Sequence, residues 1–458
     1  MSRSTTLSLR ATLRVPSPPA LLALLALVAM AACGAPQPDA DRTGADRTAS
    51  GQTAGQEAAS EQAARQDEDT RQEPEPFAAG GLPEVPLPDG TVVYDTAEGQ
   101  RIRVAVVTTG LTYPWGLAFL PDGGILVTER LGTLRRIRDG VLDPIPIAGV
   151  PEVSTGPALS ALMDVAIHPG FAENRLVYLT YSKPWSTGDR VALARGRLED
   201  DSLADVRELF VADVNMNAGA SRLAFASDGT LYMTVGGAFG GLRPLAQDPA
   251  SPVGKILRLR DDGTAPDDNP FVGRDGHRPE VFSLGHRNPM GIAIHPETGA
   301  VWASEHAPMG GDEVNLILPG RNYGWPVVSY SREYYGARVS ERPWREDMEQ
   351  PEIVWIPSIA PSGLLFYSGD RFPAWRGDLF TGSLMTGRID RTGHIERIKF
   401  NRRGLEQRRE WLLADLRRRI RDIEEGPDGL LYVLTAGSFL GQDPDRGNAA
   451  VLRIEPAE

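Results

Sequence analysis

The stretch Gly116-Leu-Ala-Phe-Leu-Pro-Asp-Gly-Gly-Ile-Leu-Val-Thr128 decides the fold, because it places a Pro-Asp-Gly turn between two short apolar runs. An Asp-Gly turn between apolar segments is typical of a β-hairpin, and one hairpin alone is compatible with many folds. The prediction of the fold therefore depends on the number of such hairpins. Five more hairpins follow, each with a Pro-Asp-Gly turn or a relative of it: Asp164–Tyr181, Arg222–Thr234, Gly291–Trp302, Gly363–Phe380 and Ile423–Leu434.

Six hairpins at a long, regular spacing predict six antiparallel sheets. Sheets arranged around a central channel leave only short, protected edges, so we expect an all-β, six-bladed β-propeller over residues 81–458. The spacing leaves room for long loops, where a functional site would be built. One exception is predicted at 404–418, where Leu405, Trp411 and Leu416 among charged residues suggest a short amphipathic helix.

The first 33 residues are predicted to be a lipoprotein signal peptide. Arg3 and Arg10 precede an apolar run at 21–30, and small residues lead to Cys33. Met30-Ala-Ala-Cys33 resembles a lipobox, with Met where Leu is usual. A lipid on Cys33 would hold an exported protein on the periplasmic face of a bacterial membrane, and Gly34 is compatible with the outer membrane. The alternative is an ordinary signal peptide with an incidental cysteine.

Residues 34–80 are predicted to be a disordered tether, because they contain few large apolar side chains. A helical stalk over 57–71 is the alternative. The whole chain carries 48 Lys and Arg against 61 Asp and Glu, a net charge of −13. A nucleic-acid partner is therefore not expected.

Several longer motifs identify a family. They are Leu284–Gly291, Ser304–Asn315, Asn322–Pro326, Trp355–Gly363, Gly254–Arg258 and Arg419–Ile423. Together they resemble the glucose/sorbosone dehydrogenase family, which includes soluble PQQ-dependent sugar dehydrogenases, and the resemblance runs from about Val104 to Ile454. It implies hydride transfer from an aldose sugar or related alcohol to PQQ, with the electrons passed to an external acceptor.

The resemblance also implies the cofactor contacts. Arg287, Arg419 and Arg421 match the arginines that contact PQQ, and Asn288 matches the amide beside the quinone. PQQ carries three carboxylates, which suit guanidinium groups. On residue type alone, Arg419 and Arg421 could instead belong to a basic run on a solvated surface.

Calcium is the metal that the family implies, as a hard cation with oxygen ligands. The carbonyl oxygens of Ala307 and Pro308 would face a calcium ion beside the cofactor. Glu313 and Tyr323 match a second, structural calcium site. Without the resemblance, the acidic residues here would indicate only an acidic turn.

The sequence departs from the family at four positions. The general-base histidine aligns with Ala218, its acidic partner with Gly237, the substrate-side glutamine with Leu159, and the PQQ-contacting lysine with Met385. Loss of a general base typically costs about 10² to 10⁴ in rate. His306, which lies in a family motif, is the candidate replacement base.

The remaining histidines suggest other roles. His168 and His295 lie in the repeat's turns and are expected to be structural, whereas His286 lies in a family motif.

Two other functions stay open besides the dehydrogenase. One is a catalytically depleted propeller lipoprotein that binds a sugar, polysaccharide or protein. The other is a calcium-dependent lactone hydrolase, by analogy of fold alone.

Overall fold

A computed structural model describes residues 81–155, 159–216, 219–437 and 446–458. The predicted signal peptide, Cys33 and the tether lie outside these residues, as does Ala218. None of the helices in the described part of the chain is both long and apolar enough to cross a membrane.

The described chain opens with two antiparallel strands, β1 (Thr91–Asp95) and β2 (Arg101–Thr112), joined by a short 3-10 turn at Ala97–Gly99. Five four-stranded antiparallel sheets follow in chain order, each with its strands in simple succession. Blade 1 contains β3 (Pro114–Phe119), β4 (Ile125–Glu129), β5 (Thr133–Arg138) and β6 (Val141–Leu142). Blade 2 contains β7 (Leu162–Ile167), β8 (Leu176–Trp185), β9 (Gly188–Glu199) and β10 (Ser202–Val211), with a one-turn helix α1 (Phe171–Asn174) between its first two strands.

The next three blades repeat the arrangement. Blade 3 contains β11 (Leu223–Phe225), β12 (Leu231–Val235), β13 (Lys255–Leu259) and β14 (Val281–Leu284). Blade 4 contains β15 (Pro289–Ile294), β16 (Val301–Glu305), β17 (Asp312–Ile317) and β18 (Ile353–Trp355). Blade 5 contains β19 (Pro361–Phe366), β20 (Leu379–Ser383), β21 (Ile395–Phe400) and β22 (Glu406–Leu412). Further 3-10 segments occur at Gly240–Gln247, Pro373–Trp375 and Ala414–Leu416.

The sixth blade joins the two ends of the described chain. Its inner strands are β23 (Arg419–Glu425), β24 (Leu431–Ala436) and β25 (Arg446–Pro456), and its outer strands are β2 and β1. Val104 of β2 pairs with Ile454 of β25 in an antiparallel register. Pairing the first strands with the last one closes the ring without leaving a long exposed edge.

The six predicted hairpins are the first two strands of the six blades. The first strands contact one another in succession around the axis, and β23 returns to β3. The second strands β4, β12, β16, β20 and β24 are buried at every position. Neighbouring blades cover both of their faces, which explains why these strands are nearly continuous apolar and β-branched runs.

The prediction of a helix at 404–418 was wrong. Residues 406–412 form the outer strand β22, which pairs with β21, and Leu413 has a positive φ of 60° that interrupts regular structure before the 3-10 turn. Trp411 stacks on buried His394 with 4.1 Å between the ring centroids. The apolar residues that suggested a helical face therefore make tertiary contacts at the edge of a blade.

Candidate functional site

A cavity of about 350 Å³ lies at one end of the propeller. At this end, which we call the site end, the second strand of each blade leads into the third and the last strand leads into the next blade. The turns of the six hairpins lie at the opposite end, since neighbouring strands are antiparallel. The described residues that line the cavity are Arg130, Leu159, Phe239, Arg287, Asn288, Met290, His306, Ala307, Pro308, Asp312, Tyr334, Ser358, Ala360, Leu384, Met385, Arg388, Arg419 and Arg421.

The cavity brings together every predicted cofactor residue. Arg287, Arg419 and Arg421 are each less than a tenth exposed, so the interpretation of Arg419 and Arg421 as part of a solvated basic surface was wrong. The two residues are separated by one position at the start of β23, and both side chains reach the cavity, whereas Ile420 is in the core. Arg130, which follows β4, is a further buried arginine that the sequence did not single out.

These arginines lie in an environment that disfavours their charge. Burial lowers the pKa of Arg421 well below its usual value, and the charges of Arg130 and Arg419 lower it further. Burial likewise lowers the pKa of Arg130 to about 10. Nε and Nη1 of Arg421 and Nε of Arg287 are buried without a hydrogen-bond partner. Unpaired donors on crowded guanidinium groups are the arrangement that a polyanionic ligand would stabilise.

The floor of the cavity is held by Arg222, at the start of the third blade. Its five N–H groups meet five acceptors: Asp164 Oδ1 and Asp422 Oδ2 at 3.0 Å each, and the carbonyl oxygens of Met290 at 3.0 Å, Trp115 at 3.2 Å and Arg421 at 2.9 Å. These acceptors belong to four other blades. A single buried guanidinium therefore connects five of the six blades directly beneath the cavity.

Asn288 joins the two loops in which the family's base and acid were expected. Its Oδ1 accepts hydrogen bonds from the main-chain N–H groups of Ala220 at 3.2 Å and Gly237 at 3.1 Å. A Cβ atom at Gly236 would lie only 2.1 Å from this oxygen. The tight packing ties the loop before β11 to the loop after β12.

The loop at Gly237 disfavours the acidic side chain expected there. Gly237 has a φ of +86°, a conformation that side-chain-bearing residues rarely adopt, and a Cβ would lie 3.2 Å from the Cα of Gly219. Leu159 and Met385, at the other two altered positions, both line the cavity. The altered region is therefore apolar where the family pattern is polar.

His306 lines the cavity between β16 and β17, as predicted from its motif. Its Nε2 donates a hydrogen bond to the carbonyl oxygen of Pro361 at 2.8 Å, which leaves Nδ1 as the acceptor atom of the neutral ring. Burial lowers the pKa of His306 to about 3; the hydrogen bond to Pro361 opposes this shift, and the charges of Arg287, Arg421 and Arg419 add to it. In this state the ring is a weak base.

His168 and His295 have the structural roles expected of them. Nδ1 of His168 accepts a hydrogen bond from Gly170 N at 2.9 Å within its turn, and His295 does the same with Glu297 N at 3.2 Å. His286 is fully buried between Ser283 and Glu305, away from the large cavity.

Asp312 fastens two loops of the site to each other. Its Oδ1 accepts from Ala307 N at 2.8 Å and Ser358 Oγ at 3.0 Å, and its Oδ2 accepts from Ile359 N at 2.9 Å and Ala360 N at 2.7 Å. Burial raises the pKa of this carboxyl group to about 6, although the hydrogen bonds from Ala307, Ala360 and Ser358 oppose that shift. Because Asp312 accepts four hydrogen bonds, its role is to hold the two loops together and not to act as a base.

The predicted calcium residues occupy two adjoining places. Ala307 and Pro308 line the large cavity, and no hydrogen bond from the described chain reaches either carbonyl oxygen. Glu313 and Tyr323 line an adjoining cavity of about 20 Å³ together with Glu305. Burial, followed by the charge of Glu305, raises the pKa of Glu313 well above its usual value.

The chemistry of this small cavity suits one cation. The carboxylates of buried Glu305 and partly buried Glu313 both line it. The hydroxyl of Tyr323 is committed to Leu316 O at 2.5 Å and Leu318 N at 2.8 Å, so only the carbonyl oxygen of Tyr323 could serve as a ligand. Within the described residues there is no group of three or more His, Cys, Asp or Glu side chains arranged for a metal. A cation here would depend on main-chain oxygens.

Tyr334 reaches the cavity from a distant part of the sequence. Residues 318–352 connect β17 to β18 and start at the end opposite the cavity, yet Arg332 forms a β-bridge with Met309 beside it. A bidentate ion pair between Glu333 and Arg243, with one contact at 2.8 Å, holds the segment there. No local pattern in the sequence indicated that this loop would return to the site end.

Comparison with known proteins agrees with this geometry. Residues 111–440 match the family described as glucose/sorbosone dehydrogenase. Aldose sugar dehydrogenase YliI of Escherichia coli K12 is 37% identical over 369 residues, which cover 79% of this chain and 94% of that protein. The crystal structure of the soluble aldose sugar dehydrogenase of Escherichia coli in the apo-form aligns with a TM-score of 0.70 and 36% identity, over 78% of this chain and 100% of that one.

A second solved structure shows a relative with the cofactor. The PQQ-bound form of aldose sugar dehydrogenase from Streptomyces coelicolor aligns with a TM-score of 0.62 and 26% identity, over 80% of this chain and 99% of that one. The family match covers most of the propeller, including all the arginines of the cavity. The chain belongs to the glucose/sorbosone dehydrogenase family.

Proposed function

We propose that the protein is a PQQ- and calcium-dependent oxidoreductase that oxidises an aldose sugar or a related alcohol and passes the electrons to an external acceptor. The observation that carries the proposal is the convergence of buried Arg130, Arg287, Arg419 and Arg421 on one cavity. Unpaired nitrogens on Arg287 and Arg421 fit the three carboxylates of PQQ. PQQ, when bound, would supply the quinone that accepts hydride.

The chain's own residues would bind and orient the cofactor, and one of them would accept the substrate's proton. Arg287, Arg419 and Arg421 would hold the carboxylates, Asn288 would keep the adjoining loops in place, and the carbonyls of Ala307 and Pro308 would face calcium. Glu313 and the carbonyl of Tyr323 would hold a second calcium ion. Phe239, Met290 and Leu384 would exclude water from the cavity.

His306 would take the proton of the substrate hydroxyl at Nδ1, in place of the family's missing histidine. Its low pKa follows from burial and from the arginine charges. A bound anion would offset those charges and raise the pKa, so the ring would be a stronger base in the loaded protein. A weak base predicts slower turnover than in relatives that keep the dyad.

Calorimetric titration with PQQ, with and without calcium, tests the proposal, together with dye reduction over a sugar panel. We expect calcium-dependent binding that Arg419→Gln and Arg421→Gln each weaken at least about tenfold. Arg418→Gln is the matched control, since Arg418 is equally buried in the same basic run but donates to Glu84 and Val85 outside the cavity. Absence of binding at micromolar PQQ would contradict the proposal.

A catalytically depleted propeller that binds a sugar, polysaccharide or protein is the second candidate. The observation that favours it is the loop at Gly237, where the positive φ and the close approach of Gly219 disfavour an acidic side chain that could partner a base. This candidate would be favoured if the protein binds PQQ but reduces no dye with any sugar, and if His306→Gln behaves as the wild type in both assays. Sugar binding that requires no PQQ would favour it further.

We also propose export and membrane attachment through a lipid on Cys33. The support is the lipobox-like Met30-Ala-Ala-Cys33 and the apolar run before it. Cys33→Ser should release the protein from the membrane fraction, and mass spectrometry of the wild-type amino terminus should find acyl chains. An unmodified mature amino terminus at another residue would contradict the proposal.

A further inference from the structure

Large apolar side chains are exposed together at the site end, on the part of the rim that blades 4 and 5 form. We call this group the mouth patch, and it consists of Leu82, Met309, Tyr334, Tyr335, Ile356 and Ile389. Single exposed apolar residues are ordinary on a protein surface, whereas a contiguous group marks a surface that another body covers. The mouth patch therefore calls for a partner.

Close contacts join the members of the patch. Nη1 of Arg388 lies 3.4 Å from the sulfur of Met309, and its guanidinium carbon lies 4.7 Å from the ring centroid of Tyr334. A Cβ atom on the glycine after Met309 would lie 3.4 Å from the side chain of Ile356. The residues that follow Tyr334 and Arg388 in the chain complete the patch. It is therefore one surface and not a set of separate side chains.

The described chain begins at this patch. The main-chain N–H of Leu82 donates to the carbonyl oxygen of Asp390 at 3.1 Å, and Nη1 of Arg391 donates to the carbonyl oxygen of Leu82 at 3.1 Å. These bonds hold Leu82 against the loop between β20 and β21. The covalent path to Cys33 therefore leaves the propeller at the site end and not at the end of the hairpin turns.

The charges beside the patch are positive. Arg332 and Arg338 are exposed on the small hairpin 332–338, and neither has a carboxylate partner within the described chain. Arg332 donates to a main-chain carbonyl of the same hairpin at 2.9 Å. The acidic residue of this hairpin, Glu333, is buried and paired with Arg243.

The acidic character of the whole chain does not cancel these local charges. The net charge is −13. Exposed charges more than about 10 Å from a surface are largely screened at physiological ionic strength. The charges that decide a contact are therefore those next to the patch.

We infer that the mouth patch docks on an anionic lipid surface and turns the cavity mouth toward the membrane to which Cys33 attaches the chain. Tyrosine rings suit the boundary between headgroups and acyl chains, and arginines suit anionic headgroups. The patch occupies only the rim of blades 4 and 5, so the rim of blades 1 to 3 would stay open to water and to the sugar. The inference rests on the proposed attachment through Cys33.

The patch orients the protein and does not anchor it. A small apolar cluster binds a bilayer weakly and reversibly, as a single acyl chain does. It would therefore turn a chain that carries a lipid, and it would not retain a chain that lacks one. The release expected of Cys33→Ser from the membrane fraction is unaffected.

Vesicle sedimentation tests the patch without the lipid. The protein used is residues 34–458, which keeps every described residue, lacks the predicted signal peptide and contains no cysteine. The vesicles are phosphatidylcholine with or without phosphatidylglycerol, at millimolar lipid. We expect the ratio of bound to free protein to be at least about fivefold higher on the anionic vesicles. Absence of binding to both kinds of vesicle would overturn the inference.

Substitutions locate the contact. Ile356→Ser and Tyr335→Ser should each lower binding to the anionic vesicles about fivefold, because each removes an apolar side chain from the contact. Val141→Ser is the matched control, since Val141 is 66% exposed against 67% for Ile356 but follows a turn at the opposite end. Thermal unfolding verifies that all three variants stay folded. An equal loss of binding for Ile356→Ser and Val141→Ser would overturn the inference.

A fluorescent label reports the orientation. Ala337→Cys, in an exposed position beside the patch, and Val141→Cys each provide a single thiol for an environment-sensitive dye. Adding anionic vesicles should shift the emission to the blue at position 337 and leave it unchanged at position 141. A shift at both positions, or at 141 alone, would contradict the docking of the mouth patch.

Two further measurements separate the alternatives. Sedimentation equilibrium that finds a dimer dependent on Ile356, together with no vesicle binding, would assign the patch to a second copy of the chain and overturn the inference. Mass spectrometry of the amino terminus decides the lipid on Cys33 by itself. Failure of the lipid proposal is thus distinguishable from failure of the patch, which is measured on a chain without the lipid.

Discussion

Nη2 of Arg222 donates a hydrogen bond of 2.9 Å to the main-chain carbonyl of Arg421, so the residue at the propeller axis holds the backbone of a residue that lines the cavity. Arg222 also pairs with buried Asp164 and Asp422 at 3.0 Å. Because the same guanidinium satisfies two carboxylates and fixes a cavity arginine, stability and ligand binding are coupled at this position.

Arg222→Met should lower the free energy of unfolding by about 3–5 kcal/mol, because it leaves two buried carboxylates without their partner. Arg222→Lys, with three donors instead of five, should be milder and stay folded. We expect calorimetry to show weaker PQQ binding for Arg222→Lys than for the wild type.

The matched control for this prediction is Arg397→Lys. Arg397 is as deeply buried and lies near Asp378 at 3.4 Å and Glu410 at 3.0 Å, but in the outer part of blade 5. It should lose stability without losing PQQ affinity. If Arg222→Lys binds PQQ as tightly as the wild type, then Arg222 does not couple stability to ligand binding in the cavity.

Asp312→Asn should destabilise the site end. An amide has one acceptor oxygen, so at least two of the four hydrogen bonds that Asp312 accepts are lost, at a cost of about 2–4 kcal/mol. Denaturant unfolding should show the loss, and calcium should stabilise the variant less, since Ala307 is no longer held. Asp228→Asn, in an exposed turn with Thr230, is the control and should change stability by less than about 1 kcal/mol.

Gly237→Asp should destabilise its loop and should not raise turnover. The positive φ and the nearby Gly219 should together cost about 1–3 kcal/mol, measured by thermal unfolding. Gly229→Asp is a matched control, because Gly229 has a φ of +82° with no atom within 4 Å of the added Cβ. A variant at 237 that is as stable as the variant at 229 would show that the loop is not crowded.

Acid should weaken the attachment of the N-terminal turn to blade 5. Although partial burial opposes ionisation of Glu98, hydrogen bonds from Arg397, Lys399 and Arg408 lower its pKa to about 2. A lowered carboxyl pKa contributes stability above the unfolded value near 4.5, and that contribution is lost as pH falls toward 2.

Glu98→Gln should therefore lower stability by about 1–2 kcal/mol at pH 7, an amount reduced by solvent screening. The difference from the wild type should shrink between pH 4.5 and pH 2 in thermal unfolding experiments. A difference that is constant over this range would show that the ion pairs of Glu98 do not stabilise the fold.

Local patterns predicted most of the architecture. Each of the six predicted hairpins became the first two strands of a blade, because turn chemistry and strand alternation act over a few residues. Prediction failed at 404–418, where charged residues and spaced apolar side chains suit an amphipathic helix as well as an outer strand. There the pairing of β22 with β21 decided the outcome, and strand preference depends on such context.

The sequence by itself determined the six hairpins, the family and the arginines 287, 419 and 421, because each is written in a short run of neighbouring residues. Only the tertiary structure decided that Arg130, Tyr334 and Arg388 share the same cavity, and that Gly237 lies against Gly219. Those relationships depend on how the blades close and how residues 318–352 return to the site end. Contacts between residues distant in sequence come from packing, which local sequence patterns do not encode.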